Sequence, residues 1–354
     1  VSDTTPGLVC GHHHLYSTLA RGMPAPPRTP TAFLEILEQV WWRLDAALDH
    51  EMLFWSAVLG ATEALMCGTT AIVDHHESPN AIEGSLSVIA EACAMVGVRT
   101  VCAYGVTDRW NDDGSPYEGE WPPRRMTDAA RRGLDECDRF LSEGGRGMVG
   151  IHAAFTCSDD TLEAAAALAA KHGVGVHVHV AEGTLDIPAG ARLEHLAGTD
   201  WLLAHCVHLD RELPGTIAHN VRSNMNNAVG YGRPATRPNP IVLGTDGIGA
   251  DMLEEFRVAY ARLREDDVLA TPETPWQWLG QGAALVPEVL DDRVRWNYDH
   301  ADDAWAVAFT PGVRALEVHV DGETLLRDGL PTRVDLGEVR AKAAEQAARL
   351  HARL

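Results

Sequence analysis

Lysine is nearly missing from this chain of 354 residues: only Lys171 and Lys342 occur, and arginine carries almost all of the positive charge. Acidic side chains outnumber basic ones 51 to 29, giving a formal net charge of −22. No broad basic face can be assembled from such a composition. This excludes nucleic acid as a partner and docking on an anionic membrane surface. Cysteine pairs are missing too. The seven cysteines are scattered, their number is odd, and no CxxC occurs. In a chain this long that pattern reads as reduced, buried thiols and a cytoplasmic location. No apolar run reaches the ~18 residues of a membrane span, and no secretory apolar region opens the sequence.

What the chain does have is eight short runs rich in Val, Ile and Ala, at 8–15, 70–76, 99–106, 147–155, 173–182, 200–209, 215–221 and 240–247. Their continuous apolar character suits strands covered on both faces. Helical patterns at 31–48, 51–68, 84–97, 127–144, 158–173 and 250–265 lie between most of them, with Ser158 as an N-cap and Gly173 past a C-terminus. Eight strands alternating with helices predict an α/β fold, a (β/α)8 TIM barrel. Its outer helices are reduced after strands six and seven, where 210–214 is barely one turn and 222–239 reads as loop. Beyond 266, residues 271–300 read as mostly helical and 304–311 as a strand. A hairpin at 315–329 turns through Asp321-Gly322, and 337–354 is a terminal helix. The expected division is a barrel domain over 6–300 and a small C-terminal β/α appendage over 301–354.

Of the seventeen histidines, eleven fall in or at the end of a predicted barrel strand: 12, 13, 14, 75, 76, 152, 177, 179, 205, 208 and 219. Barrels build their active sites at the C-terminal ends of their strands, so the histidines mark a polar mouth. Period two puts His12 and His14 on one face of strand one and turns His13 toward the helices. His177 and His179 share a face of strand five, with His179 nearer its C-terminal end. Asp246 ends strand eight, which neighbours strand one in a closed barrel. Three imidazoles and a carboxylate make a site for Zn²⁺ with room for a water. Glu182, three residues after His179, would hang over that water and shuttle protons. His205, ending strand six, is placed to polarise the bond under attack. His208 stays open between site and loop.

Together these motifs resemble the amidohydrolase superfamily, above all its cytosine-deaminase-like and chlorohydrolase-like branch (the TRZ/ATZ and guanine deaminase group). "PGLVCGHHHLYSTLARG" resembles that branch's opening, "HVHVAE" its strand-five motif, "LLAHCVHL" its strand-six histidine, "AHNVRSN" its strand-seven motif and "LGTDG" its strand-eight aspartate. The WW pair at 41–42 and "VDHHESPNAIEGSLSVIAEA" at 73–92 look most like the SsnA aminohydrolase group. The resemblance spans about residues 6 to 260. It implies that His12, His14, His179 and Asp246 bind one divalent metal, Zn²⁺ first, with Fe²⁺ or Mn²⁺ equally suited to such ligands. It implies catalytic roles for Glu182, His205 and Asp246, substrate contact by His152, and a place at the site for Asn224. Binuclear relatives bridge two metals with a carboxylated lysine on a strand, and neither Lys171 nor Lys342 is so placed. Two departures stand out: Val221 replaces the usual proline of the strand-seven motif, and the segment between strands six and eight is short.

The implied function is hydrolytic deamination of an amino-substituted nitrogen heterocycle, purine-, pteridine-, pyrimidine- or triazine-like, by a metal-activated water. Dechlorination or cyclic-amide hydrolysis is the alternative within the family. Trp41, Trp42, His75, His76, Tyr104 and Arg109 are placed to line the pocket, although the tryptophans read equally well as helix packing. A rival from another class is a catalytically silent metal-binding barrel. A phosphate-binding barrel fails, because 222–239 offers no glycine-rich turn into a helix N-terminus. Family members carry a β segment before the barrel, whereas here five residues precede "PG". The strands at 304–329 are therefore expected to lack partners, and their open edge predicts a homo-oligomer.

Overall fold

The computed structural model describes residues 2–354. All eight apolar runs form strands: Leu8–His13, Thr69–His76, Arg99–Val106, Val149–Ala153, Val176–Val180, Leu202–His205, Thr216–His219 and Ile241–Leu243. They lie parallel and in sequence order in one sheet. A His13–Asp246 bridge joins the eighth strand to the first, with Thr245 N donating to His12 O at 2.9 Å and His14 N to Asp246 O at 3.2 Å. The sheet is thereby closed into a TIM barrel. Helices His50–Met66, Ser85–Val96, Asp128–Ser142, Asp159–His172 and Met252–Asp266 pack outside it. Four of the five starts are set by side-chain caps worth about 1 kcal/mol each: Asp49, Thr127, Ser158 and Asp251 each accept a first-turn N–H. Gly173, at φ 65°, ends its helix in the left-handed conformation.

Strand alternation divides the barrel interior into two zones. At the N-terminal end, Val9, Ala71, Val73, Val101, Leu202, Ala218 and Val242 form an apolar layer plugged by Val286 and Val289. Residues of opposite parity, such as Cys10, Ile72, Val178, Leu203 and Leu243, pack against the helices. Polar side chains are left to collect at the C-terminal end.

The outer layer is thin where expected, with refinements. No helix follows strand six, but 222–239 is not all loop, because Val221–Asn226 forms a short helix. The pattern at 31–48 is not one helix either. Phe33–Ile36 and Trp42–Ala47 are α-helical, and Leu37–Trp41 between them is wound wider as a π turn, a form that recurs beside functional sites.

A second, antiparallel sheet runs in the order Thr4–Thr5, Arg293–Trp296, Ala315–Val320, Glu323–Arg327, Leu330–Pro331. The hairpin turns through Asp321 (φ 50°) and Gly322 (φ 80°), the left-handed pair of a type I′ turn. Two expectations fail here. The 304–311 segment is a helix, Ala304–Phe309, started by the Asp303 carboxylate accepting Ala306 N; six apolar residues alone cannot separate helix from strand. The segment 271–300 holds a helix, Glu273–Gln281, but also the strand Arg293–Trp296. That strand occupies the edge of the hairpin expected to be open. The sheet thus draws strands from both sides of residue 300.

Candidate metal centre

Strict alternation from Val9 would aim Gly11 and His13 inward. A register irregularity between Cys10 and His13 reverses the parity. His12 and His14 then face the barrel axis, and His13 Nδ1 pairs with Thr245 Oγ1 at 3.0 Å. Gly11 permits the closure: a Cβ there would lie 2.7 Å from Val242 Cγ2 and 3.0 Å from Leu243 O.

His14 Nε2 lies 2.8 Å from Asp246 Oδ1, and His12 Nε2 lies 3.6 Å from the same oxygen. His14 Nε2 and His179 Nε2 are 3.2 Å apart. Potential ligand atoms of His12, His179, His205 and Asp246 all lie within 4.8 Å of one another. The outer nitrogens are committed. His14 Nδ1 donates to His75 O at 2.5 Å, and His179 Nδ1 to His152 O at 2.6 Å. In the neutral rings this leaves two bare Nε2 atoms facing each other, a repulsive arrangement unless a cation sits between them. His12 Nε2 is buried without a hydrogen-bond partner. Burial keeps His12 and His179 well below the usual histidine pKa, so their lone pairs are free. Burial opposes ionisation of Asp246, yet His12 and His14 beside it hold its carboxyl well below the usual range. Burial would lower His14 as well, but Asp246 lifts it to about 9. Both shifts express one need, a positive charge between them. Three imidazoles and a carboxylate with an orphaned buried nitrogen fit a divalent ion such as Zn²⁺.

Glu182 stands beside this cluster. Its Oε2 lies 3.6 Å from His205 Nε2, and its Oε1 accepts from Asn227 Nδ2 at 3.3 Å. Burial pushes its carboxyl up to about 7, with His205 opposing and Asp246 adding. His205 Nδ1 donates to Asn224 Oδ1 at 2.7 Å, and Ser223 Oγ donates to Asp246 Oδ2. Ala181, His205 and Asp246 end strands five, six and eight at φ 48°, 71° and 54°. Such left-handed non-glycine conformations cost on the order of 1 kcal/mol each and concentrate at functional sites. The Asp186 carboxylate holds one of them, accepting Ala181 N at 2.7 Å and Phe155 N at 2.9 Å.

A cleft of about 620 Å³ opens over these groups. Phe33, Leu37, Trp41, Trp42 and Phe155 form its apolar wall, and His152, Asp45, Glu77 and Arg109 its far side. The Arg109 guanidinium is buried between Asp45 and Glu77 and pairs with both. It also lies 5.2 Å from the Trp42 ring centre, and its Nη1 is 3.3 Å from His152 Nε2. Burial raises Asp45 and pushes Glu77 up to about 8, against the pull of Arg109. One cation thus serves two acids.

Of the side chains expected to meet substrate, His152, Trp41 and Arg109 line the cleft, although Arg109 Nη2 is already paired with both carboxylates. Asn224 instead turns to His205. His76 lies behind the wall: with Val73 and His75 facing in, it faces out, packs between Tyr16 and Tyr104, and pairs its Nε2 with Ser78 Oγ at 2.8 Å. His208 Nε2 donates to Val229 O at 2.7 Å, away from the cluster. Sequence reasoning missed Asp45, Glu77, Asp186, Ser223 and Asn227. Two carried a signal: Asp45 falls one helical turn after Trp41, and Glu77 directly follows the His75-His76 pair.

The amidohydrolase family profile matches residues 4–274. A 5′-deoxyadenosine deaminase of Methanopyrus kandleri is 30% identical over 393 aligned positions, covering 98% of this chain and 86% of the relative. An 8-oxoguanine deaminase of Pseudomonas aeruginosa is 28% identical, covering 95% and 85%. Among solved structures, the atrazine chlorohydrolase TrzN from Arthrobacter aurescens TC1 complexed with zinc superposes with a TM-score of 0.78 at 21% identity, over 97% of this chain and 88% of that one. An adenosine deaminase from Xanthomonas campestris with bound zinc superposes with a TM-score of 0.76 at 19% identity, over 99% and 86%.

Proposed function

The chain belongs to the amidohydrolase family, and from that premise we propose that it is a metal-dependent hydrolase of C–N bonds that deaminates an amino-substituted nitrogen heterocycle. The observation that carries this reading is that His14 Nε2 lies 2.8 Å from Asp246 Oδ1 and 3.2 Å from His179 Nε2, with His12 Nε2 3.6 Å from the same carboxylate oxygen and Glu182 and His205 beside them. Relatives named for deamination of 5′-deoxyadenosine and 8-oxoguanine support it and favour a purine-like ring. We assign His12, His14, His179 and Asp246 as ligands of one divalent ion, Zn²⁺ in the first place. Bound there, such an ion supplies Lewis acidity that makes water nucleophilic near neutral pH.

The chain's own groups do the rest. The aromatic wall of Trp41, Trp42 and Phe155 suits a flat ring and keeps bulk water away. Asp246 accepts the proton of the attacking water. Glu182, with a carboxyl near neutrality, passes protons to the ring nitrogen and to the departing amine. His205, its Nδ1–H donating to Asn224, would stabilise the developing negative charge through a second N–H at Nε2 when the ring is protonated. His152 Nδ1 pairs with Thr156 Oγ1 at 2.7 Å, which orients the ring at the cleft. In balance, one water adds at the amino-bearing carbon, the C–N bond breaks, and ammonia leaves a carbonyl behind.

We take the enzyme to be cytoplasmic, in keeping with seven free cysteines, six of them buried. Among the described residues no helix is long and apolar enough to cross a membrane. We also keep the homo-oligomer, now supported by the exposed stacked pair Trp305 and Phe309. Residues 6–300 are taken as the catalytic unit and 301–354 as its appendage. The test is metal analysis joined to an ammonia-release screen over amino-purines, pteridines, pyrimidines and triazines. Ammonia release from at least one class by metal-loaded protein is expected. Chloride release from a chloro-triazine without any ammonia would overturn deamination, and no turnover at all would favour the silent barrel.

A further inference from the structure

We propose that His177 sets the tautomer of His12 and thereby the grip of the site on its ion. The proposal rests on the metal-dependent reading above. The three imidazoles assigned as ligands differ in what holds their outer nitrogen. His14 and His179 donate Nδ1 to backbone carbonyls, those of His75 and His152. A carbonyl can only accept, so those two rings have no choice of tautomer. His12 has no carbonyl. Its Nδ1 lies 2.7 Å from Nε2 of His177, the rings nearly perpendicular at 78°, and both side chains are fully buried.

Two imidazole nitrogens at that distance share one proton, and its position decides what His12 can do. If the proton sits on His177 Nε2, neutral His12 must carry its own on Nε2, the atom facing Asp246 at 3.6 Å. That ring cannot ligate. If the proton sits on His12 Nδ1, His177 Nε2 accepts, and His12 Nε2 is bare. Only the second arrangement fits an ion, and it requires His177 to carry its proton on Nδ1. That nitrogen is buried and has no hydrogen-bond partner of its own. No other group therefore opposes the required tautomer. His177 is a positioning residue: it stands outside the grouping of potential ligand atoms formed by His12, His179, His205 and Asp246. Any acceptor at the place of its Nε2 should serve.

The test measures zinc affinity by competition with a chromophoric chelator, so no substrate is needed. His177→Phe keeps a ring but removes the acceptor, whereas His177→Gln keeps an acceptor oxygen. The Phe variant should lose roughly 10–100-fold in affinity, the scale for outer partners of ligating histidines, while the Gln variant stays within about threefold of the parent. The metal-free Phe variant should melt close to the metal-free parent, because the unpaired His177 Nδ1 that it removes is replaced by a His12 Nδ1 left without its partner. Should the Phe variant not fold, ¹⁵N-histidine NMR of the zinc-loaded parent decides, with the expected spectrum showing His12 protonated at Nδ1 and His177 at Nδ1. A His177 proton on Nε2, equal affinity in all three proteins, or equal loss in both variants would overturn the proposal. A parent that holds no zinc would instead overturn the metal-dependent reading from which it starts.

Discussion

Asn224 Oδ1 accepts the Nδ1 proton of His205 at 2.7 Å, across nineteen residues of sequence and two neighbouring strands. The bond commits Nδ1 and so leaves Nε2 as the ring nitrogen that His205 presents to the cluster. Nε2 is thereby turned to Glu182 and Asp246, at 3.6 and 4.0 Å. Asn224→Leu should therefore lower kcat by roughly 10–100-fold, the scale for outer partners that orient a working group. Metal content and KM should stay near the parent values. Steady-state kinetics with metal analysis checks both, and a fall in metal content would mean that Asn224 supports the ligands instead.

Glu182→Gln separates proton transfer from metal binding. The amide keeps the size and the contact with Asn227 but cannot exchange a proton near neutral pH. The expected loss in kcat is about 10²–10⁴-fold, with metal bound as in the parent. A parallel loss of metal would make Glu182 a ligand.

His12→Ala and Asp246→Ala should each abolish tight metal binding, and a chelator should do the same to the parent. The metal-free parent should also melt at a lower temperature, since an ion that binds only the folded state stabilises it by mass action. Metal analysis of dialysed protein and melting with and without chelator check this. About one ion per chain is expected, and two tightly held ions would contradict the mononuclear assignment.

Arg109→Leu leaves Asp45 and Glu77 facing each other in a buried site without their cation. Breaking a buried ion pair from one side costs about 3–5 kcal/mol. A loss of that size in denaturant unfolding is expected. A loss below about 1 kcal/mol, the range of exposed pairs, would mean that water reaches the trio.

Asp74 gives stability a pH dependence of unusual sign. One oxygen accepts Leu15 N at 2.7 Å, the other has no partner, and burial pushes the carboxyl up to about 7. Between about pH 4 and 7 the folded chain keeps a proton that the unfolded chain has released. This group's contribution therefore makes stability fall as pH rises through that window. At about 1.4 kcal/mol per pKa unit, the fall is on the order of 4 kcal/mol at most. Asp74→Asn keeps an acceptor for Leu15 and removes the titration. Unfolding free energies of both proteins at pH 5 and pH 8 should shift in favour of the variant at the higher pH, and an unchanged difference would contradict the assignment.

The barrel was readable from sequence because its strands are covered on both faces, so each appears as an unbroken apolar run. The proximity of His12, His14, His179 and Asp246 was readable because all four sit at strand ends, where chain order predicts it. Period two placed His12 with His14, but it did not say that this pair would face inward; the irregularity before His13 decides that. His76 shows the converse: parity with Val73 would have sent it outward, and adjacency to His75 obscured this. The trio of Asp45, Glu77 and Arg109 joins a helix, a strand end and a loop, a proximity that no local spacing encodes. The run at 304–309 became a helix because a capping carboxylate, Asp303, acts on six residues of ambiguous pattern.

The seam between the first and eighth strands also orders events during synthesis. His12 and His14 leave the ribosome more than two hundred residues ahead of the backbone that pairs with them, Thr245 and Asp246. Throughout that interval the histidine-bearing strand has one future edge missing, and Asp246 is still unmade. The full grouping of His12, His14, His179 and Asp246 exists only after the last barrel strand has emerged and the seam has shut.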